Sequence, residues 1–385
     1  MKKFQLLTVG HSYIVPLNRR LAHELTRVAP IACDVTICAP QTLQGDLRPL
    51  EIEFEKNEPC KTIPVKVRLS SKIHLMAYSR HLKEVLARNW DFVHAWEEPY
   101  IYSGAQIARW SAGKPLVYYT YQNISKAYPP PFSWFERKSL HSARGWIAGG
   151  ITTESALQSR PSYAARPHCI IPLGVDVAHF RPDPCAGAHV RQQLMWSSPE
   201  PHIVGYMGRF VPEKGLRVLM QALDRCRSPW RALFLGGGPL LKEIEQWASA
   251  YPGRVAIVSS VKHDKVPMYL NAMDMLVAPS QTMPFWREQL GRMITEAFAC
   301  GVPVVASDSG EIPNVVQNAG LIVEESNVAA WATAIENLLN DKAKRNSMSE
   351  AGLERAHSTF AWPVIAKKHW EFFLKILDSP GSLSQ

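Results

Sequence analysis

The stretch Arg287-Glu288-Gln289-Leu290-Gly291-Arg292-Met293-Ile294-Thr295-Glu296-Ala297-Phe298-Ala299-Cys300-Gly301-Val302-Pro303-Val304-Val305-Ala306 joins an amphipathic segment to an apolar run through a Gly-x-Pro turn. Helical spacing ends at Gly301, and Val304-Val305-Ala306 has the length and β-branching of a buried strand. Outward from this unit the same alternation fills the chain. Strands are expected at 5–9, 34–38, 92–95, 116–120, 145–148 and 169–172, and again at 202–207, 232–236, 255–257, 275–278, 304–306 and 321–323, with helix-length amphipathic segments between them. Such alternation predicts α/β layers on parallel sheets, and two similar sets predict two Rossmann-like domains. Residues 172–184, rich in Pro and Asp, lack either period and form the expected connection. The expected domains are 1–180 and 181–361, followed by a segment 362–385 whose helix, 362–377, opens on Trp362-Pro363.

Composition fits such a chain. Its 385 residues are 46% hydrophobic and 20% charged, which suits two buried cores and excludes a disordered tail protein or a charge-rich coiled coil. The longest apolar runs are strand-sized, short of the roughly 20 residues of a membrane-spanning helix. The start Met1-Lys2-Lys3-Phe4-Gln5-Leu6-Leu7-Thr8-Val9 meets Gln5 and Thr8 too early for a secretory leader and reads as a first buried strand. Seven cysteines without a Cys-x-x-Cys pair indicate neither a disulfide framework nor a zinc site, and suit a reducing cytoplasm. The formal charge of +9 is uneven: residues 1–185 hold 23 Lys and Arg against 15 Asp and Glu, whereas residues 186–385 hold 20 against 19. Lys66, Arg68, Lys72, Arg80 and Lys83 crowd around the apolar stretch Ile73-His74-Leu75-Met76-Ala77-Tyr78. That pattern suits an anionic membrane surface as well as it suits a solvated face. No nucleic-acid recognition motif accompanies it, so no nucleic-acid partner is expected.

Two segments of the second half carry chemistry. In Val204-Gly205-Tyr206-Met207-Gly208-Arg209-Phe210-Val211-Pro212-Glu213-Lys214-Gly215 a strand runs into a glycine, an Arg, a short loop and a Lys-Gly that opens a helix. Two cations at the carboxyl end of a parallel strand, beside a helix N-terminus, form a natural site for a diphosphate. In the opening stretch, Glu288 and Glu296 are separated by seven residues. Eight steps of helix rise about 12 Å, the span from the ribose to the sugar of a nucleotide sugar. The backbone amides of Leu290, Gly291 and Arg292 would lie between the carboxylates as donors to phosphate. The plainer reading is a solvated strand end and a helix with one capping and one solvated Glu.

In this order and spacing the Gly208-Arg209 to Lys214-Gly215 segment, the Gly236-Gly237-Gly238-Pro239-Leu240 turn, the Pro279-Ser280 strand end and the E-x(7)-E segment ending Glu296-Ala297-Phe298-Ala299-Cys300-Gly301-Val302-Pro303-Val304 resemble glycosyltransferase family 4, the retaining GT-B enzymes. The similarity reaches back through Ile171-Pro172-Leu173-Gly174-Val175-Asp176. The resemblance implies a GT-B fold: two Rossmann-like domains facing across a cleft, a nucleotide-sugar donor on the second, the acceptor mainly on the first, and a closing helix that crosses back to the first. It places Arg209 and Lys214 on the donor diphosphate, Glu288 against the transferred sugar and Glu296 on the ribose, with Gln289, Leu290, Gly291 and Arg292 completing the donor set. Glu288, Arg209 and Lys214 are the expected catalytic residues. No metal or other cofactor is implied, since the nucleotide sugar is a substrate, and the chain contains no Asp-x-Asp.

On the first domain, strand ends should supply the acceptor side: Gly10 and His11 after the first strand, His94, Glu97 and Glu98 after the third, Gln122 and Asn123 after the fourth. The chain departs from many relatives in having Gly10 rather than a glycine pair, Gln122 or Asn123 where a histidine is common, and Asn314 where a Glu is common. The resemblance thus implies a retaining, metal-independent enzyme that moves a hexose-type sugar from a UDP- or GDP-sugar to a hydroxyl of a glycan or lipid-linked acceptor, at the cytoplasmic membrane face. The alternatives are a nucleotide-sugar epimerase on the same scaffold and a non-catalytic carbohydrate- or lipid-binding protein.

Overall fold

The first strand, Phe4–Val9, lies in the interior of a seven-stranded sheet in the order His168–Ile170, Gly145–Ala148, Leu116–Thr120, Phe92–Ala95, Phe4–Val9, Cys33–Pro40, Lys61–Val65. All its pairings are parallel, which is why its central strands are continuous apolar runs. The computed structural model describes residues 3–45, 49–54, 57–196, 198, 200–259 and 261–379. Met1, Lys2 and residues 380–385, which end two of the expected segments, lie outside the described residues.

Strand Lys61–Val65 has no counterpart among the expected strands. It carries Pro64, which faces Ala39 in the ladder, and a proline inside a run argues against a strand except at a sheet edge, where its missing N–H goes unused. The edge position is what makes it tolerable here.

Two compact units form, Met1–Gly174 with Trp362–Gln385, and Val175–Ala361. Residues 175–180 therefore group with the second unit rather than the first: the Val175 N–H donates to the Phe360 carbonyl at 2.8 Å, and Val175 bridges Ala361. The helix Trp362–Asp378 belongs to the first unit because its apolar stripe is buried there. The Trp370 indole donates to the Leu25 carbonyl at 2.8 Å, and Phe373 packs on Phe92 with ring centroids 4.5 Å apart.

That stripe also contains His369, fully buried, whose ring bonds to the Ile365 carbonyl at 2.9 Å and meets His94 edge-on at 5.4 Å. Burial pushes the His369 imidazole down to about 4. An unfolded histidine titrates near 6.5, so on acidification the unfolded chain takes up a proton that the folded one refuses, and stability falls as the pH drops from about 6.5 to about 4. Acidification from pH 7 to pH 5 should remove about 2 kcal/mol through this residue alone. Denaturant melts at the two pH values should show a smaller loss in His369→Gln; an equal loss would assign the acid sensitivity elsewhere.

The second unit has a six-stranded parallel sheet in the order Val255–Val258, Trp230–Gly237, His202–Arg209, Met275–Ala278, Val304–Ser307, Gly320–Val323. All six of its expected strands are present.

Candidate functional site

In the second unit, the chemistry-bearing segments follow the carboxyl ends of the strands, the edge where ligands of open parallel sheets bind. Strand His202–Arg209 ends on Arg209, whose guanidinium lies 3.7 Å from Glu213 with 39% of the side chain exposed. Pro212–Lys214 then makes a single 3-10 turn, and Gly215 turns left-handed (φ 69°) into helix Leu216–Arg225. A Cβ on Gly215 would fall on the Pro279 carbonyl oxygen, so this turn presses against the end of strand Met275–Ala278 and excludes a side chain. That approach brings Lys214 to a residue 74 positions later: its ammonium pairs with the Glu288 carboxylate and lies 4.9 Å from the Trp286 ring centre.

Glu288 is 7% exposed. Besides Lys214, its carboxylate accepts from Ser280 Oγ at 2.8 Å and from the Gly291 N–H at 3.2 Å, and its carbonyl accepts the Glu311 N–H at 2.9 Å. Gly310, at φ 57°, lets the loop carrying Glu311 pass over Glu288, since a Cβ there would meet the Glu288 carbonyl oxygen. Burial alone would raise the Glu288 carboxyl. The Lys214 charge and hydrogen bond, joined by Ser280 and the Gly291 amide, outweigh it and hold the group below the ordinary carboxylate range. Tyr206, buried beneath, donates to the Arg209 carbonyl at 2.8 Å; burial and the nearby Glu288 charge raise its phenol, so it stays a neutral donor.

Two expectations change. Glu288 does not ride on the helix: Arg292–Ala299 has eight residues and begins after left-handed Gly291 (φ 72°), so only Glu296 lies on it. The helical spacing of about 12 Å therefore does not describe the pair of carboxylates. Of the three amides expected to face phosphate, that of Gly291 is engaged by Glu288. Leu290 is buried, Arg292 is half-buried and opens the helix, and Gln289 is exposed.

Glu296, 3% exposed, pairs with His263 Nε2 at 3.0 Å, and His263 meets Phe180 edge-on at 5.3 Å. His263 and Trp286 are absent from the expected site, and Ser280 enters the sequence reading only within the Pro279-Ser280 strand end, with no role of its own. The rule that ligands gather at strand ends would have found His263, because it follows Val255–Val258. Nothing in the sequence ties Trp286 to Lys214.

In the first unit, the His11 N–H donates to Glu97 Oε1 at 3.0 Å and its Nδ1 pairs with Oε2 at 2.7 Å. The Tyr78 hydroxyl donates to the same carboxylate at 2.7 Å. Glu97 is thus buried and fully engaged, and acts by holding His11, whose side chain is 25% exposed. Burial would lower the His11 imidazole, but Glu97, through charge and hydrogen bond, and the Glu98 charge raise it above its ordinary value. Gly10 precedes it in extended backbone, its N–H on the Cys38 carbonyl at 3.1 Å. Glu98 accepts from Thr120 Oγ1 and from the Tyr121 N–H at 2.8 Å, Gln122 donates to the Ile124 carbonyl at 2.9 Å, and Asn123 is buried. Glu98 thus ties one loop to the next, and among the expected residues at these strand ends His11 and Glu98 are half-buried while Glu97, Gln122 and Asn123 are buried. His94, by contrast, is a core residue: it is fully buried, with Nδ1 2.9 Å from Thr8 Oγ1.

Comparison with known proteins matches residues 192–355 to the family described as "Glycosyl transferases group 1" and residues 18–179 to "Glycosyltransferase Family 4". The GDP-mannose-dependent alpha-(1-6)-phosphatidylinositol monomannoside mannosyltransferase of Mycobacterium tuberculosis (strain ATCC 25618 / H37Rv) is 34% identical over 211 residues, 52% of this chain and 54% of that protein. The chain thus spans about half the length of the curated relatives it matches. Among solved structures, a glycosyltransferase from Rickettsia africae superposes with a TM-score of 0.77 at 16% identity, covering 99% of this chain and 100% of that one. Anabaena Alr3699/HepE in complex with UDP superposes with a TM-score of 0.70 at 19% identity, covering 97% and 100%.

Proposed function

The chain belongs to the group 1 glycosyl transferases of family 4 and has the GT-B fold, and from that premise we propose that it is a retaining, metal-independent glycosyltransferase. It moves a hexose-type sugar from a UDP- or GDP-sugar to a hydroxyl of a glycan or lipid-linked acceptor. The observation that carries this reading is the buried Lys214–Glu288 pair, set with Ser280 and Arg209 at neighbouring strand ends. The names of relatives support the donor class: a GDP-mannose-dependent mannosyltransferase by sequence and a UDP complex by fold.

In this reading the acceptor oxygen attacks the anomeric carbon from the face that the diphosphate leaves. The bond from that carbon to the phosphate oxygen breaks, and the acceptor proton passes to the departing phosphate. Negative charge develops on the diphosphate, where the Arg209 guanidinium and the Lys214 ammonium, already placed, stabilise it more in the transition state than in the ground state. Glu288, kept ionised, accepts from hydroxyls of the transferred sugar, and Glu296, braced by His263, accepts from the ribose. On the first unit, His11 contacts the acceptor.

The test is a thermal-shift screen of UDP, GDP, ADP and their hexose conjugates with and without chelator, then a transfer assay with the anomeric configuration read by NMR. A selective, chelator-insensitive shift and a retained configuration are expected; binding stabilises the folded state by mass action. Inversion, or a chelator-dependent shift, overturns the mechanism.

The acceptor reading extends to an anionic membrane surface at the cytoplasmic face. Lys66, Arg68, Lys72, Arg80 and Lys83 are all exposed, and among them stand exposed Leu69 and Leu75. A basic residue near an anionic surface contributes about 1 kcal/mol, screened within a Debye length of about 8–10 Å. Sedimentation with phosphatidylglycerol vesicles should fall as salt rises and should weaken in Arg68→Glu/Lys72→Glu. Equal binding to neutral vesicles would remove the electrostatic account.

A further inference from the structure

The second unit carries an open depression of about 530 Å³ that shares no residue with the site around Lys214. Its size falls within the roughly 300–1,000 Å³ of small-ligand sites. It is lined from helix Leu216–Arg225 by Arg217, Gln221 and Asp224, and from helix Leu241–Ala248 and the turn after it by Glu243, Trp247 and Tyr251.

One wall is aromatic and rigid. The Trp247 indole lies nearly parallel to buried Trp230, at 8° with centroids 6.0 Å apart, and is half-buried where it lines the depression. Tyr251 stands beside it at 5.2 Å, tilted by 50°. Both rings are locked by one atom: Asp224 Oδ1 accepts from Trp247 Nε1 at 2.7 Å and from the Tyr251 hydroxyl at 2.6 Å. Asp224 Oδ2 accepts no hydrogen bond among the described residues and lies on an exposed side chain. Arg217 and Glu243 face each other through two hydrogen bonds of 2.7 and 2.8 Å, with 55% and 40% of their side chains exposed.

We infer that this depression is a saccharide-binding site that takes an uncharged pyranose segment. A pyranose presents an apolar C–H face and a rim of hydroxyls, each able to donate and accept. It is held by an aromatic face with planar polar groups around its edge. Here the indole supplies the face, while Asp224 Oδ2, the Gln221 amide and the Arg217–Glu243 pair supply the edge. Two carboxylates against one guanidinium disfavour a phosphate, a nucleotide or an anionic sugar, and the guanidinium disfavours an organic cation. Because the rings are fixed before the ligand arrives, little side-chain freedom is lost on binding. The site goes beyond the transfer reaction, since it holds a glycan whether or not a sugar is transferred elsewhere on the chain.

The experiment is titration of the full chain with maltotriose and with α-(1→6)-mannotriose, followed by tryptophan fluorescence and saturation-transfer NMR. Saturable millimolar binding is expected for at least one of them, weakened about tenfold or more by Trp247→Ala and by Asp224→Asn, and unchanged in Arg209→Ala. Asp224→Asn preserves side-chain size and carries the test if Trp247→Ala fails to fold. Absence of saturable binding to both sugars overturns the inference, and so does binding that Asp224→Asn and Trp247→Ala leave intact. Nucleotide shifts and transfer rates report separately on the strand-end site, so the two readings fail independently.

Discussion

Turnover in the Arg209→Ala/Lys214→Ala variant is expected to fall by about 10³- to 10⁵-fold, the range that follows removal of preorganised cations from a departing phosphate. Arg209 is reachable at the strand end, with 39% of its side chain exposed, whereas Lys214 is held inward with 13% exposed. In the proposed mechanism the two act from different depths on the same developing charge. Measured in single turnover at saturating donor, the loss should appear in the rate itself and not only in the apparent donor affinity, because the charge they stabilise grows as the bond breaks. A variant that keeps wild-type turnover would remove both residues from the site.

The second large effect concerns stability. Lys214→Ala leaves the Glu288 carboxylate buried without its counter-charge, and breaking a buried pair in this way costs about 3–5 kcal/mol. Ser280 and the Gly291 amide still donate to Glu288, which places the expectation at the lower end of that range. Adding Glu288→Gln should recover most of the loss in denaturant melts, while transfer stays abolished. The sign with pH is fixed by the direction of the shift. A carboxyl held below its ordinary value contributes stability that is full above an unfolded value near 4.5 and is lost as the pH falls through its folded value. Without Lys214 that depression weakens, so the gap between wild type and Lys214→Ala should narrow as the medium is acidified toward pH 4. A gap independent of pH, with no rescue by the second substitution, would mean that Lys214 stabilises the unit through its packing on Trp286 instead.

Much of the site was legible because each motif is local. Arg209 follows an apolar strand, Lys214-Gly215 opens a helix, and Glu296 sits in an amphipathic run, all set by neighbours in the chain. The misplacement of Glu288 has an equally local cause. The spacing of Glu288 and Glu296 fits one continuous helix, but the left-handed backbone of Gly291 starts the helix after it, leaving Glu288 in irregular chain. Strand Lys61–Val65 is not legible in the sequence because Pro64 counts against a strand unless it lies at a sheet edge. On the first unit, Glu97, Glu98 and Gln122 sit at strand ends as expected, yet they spend their hydrogen bonds on the adjoining loops and on His11.

By itself the amino-acid sequence determined the two parallel-sheet halves, the phosphate-suited cations and the two carboxylates, since hydrophobic period and turn chemistry are properties of consecutive residues. Only the tertiary structure decided that Lys214 meets Glu288, that His263 braces Glu296, that His94 is core and His11 is not, and that Trp247 and Tyr251 share one oxygen of Asp224. These pairings join residues distant in the chain. They depend on the order of strands in the sheet and on loops approaching closely enough to exclude a Cβ at Gly215 and Gly310, which no local pattern encodes.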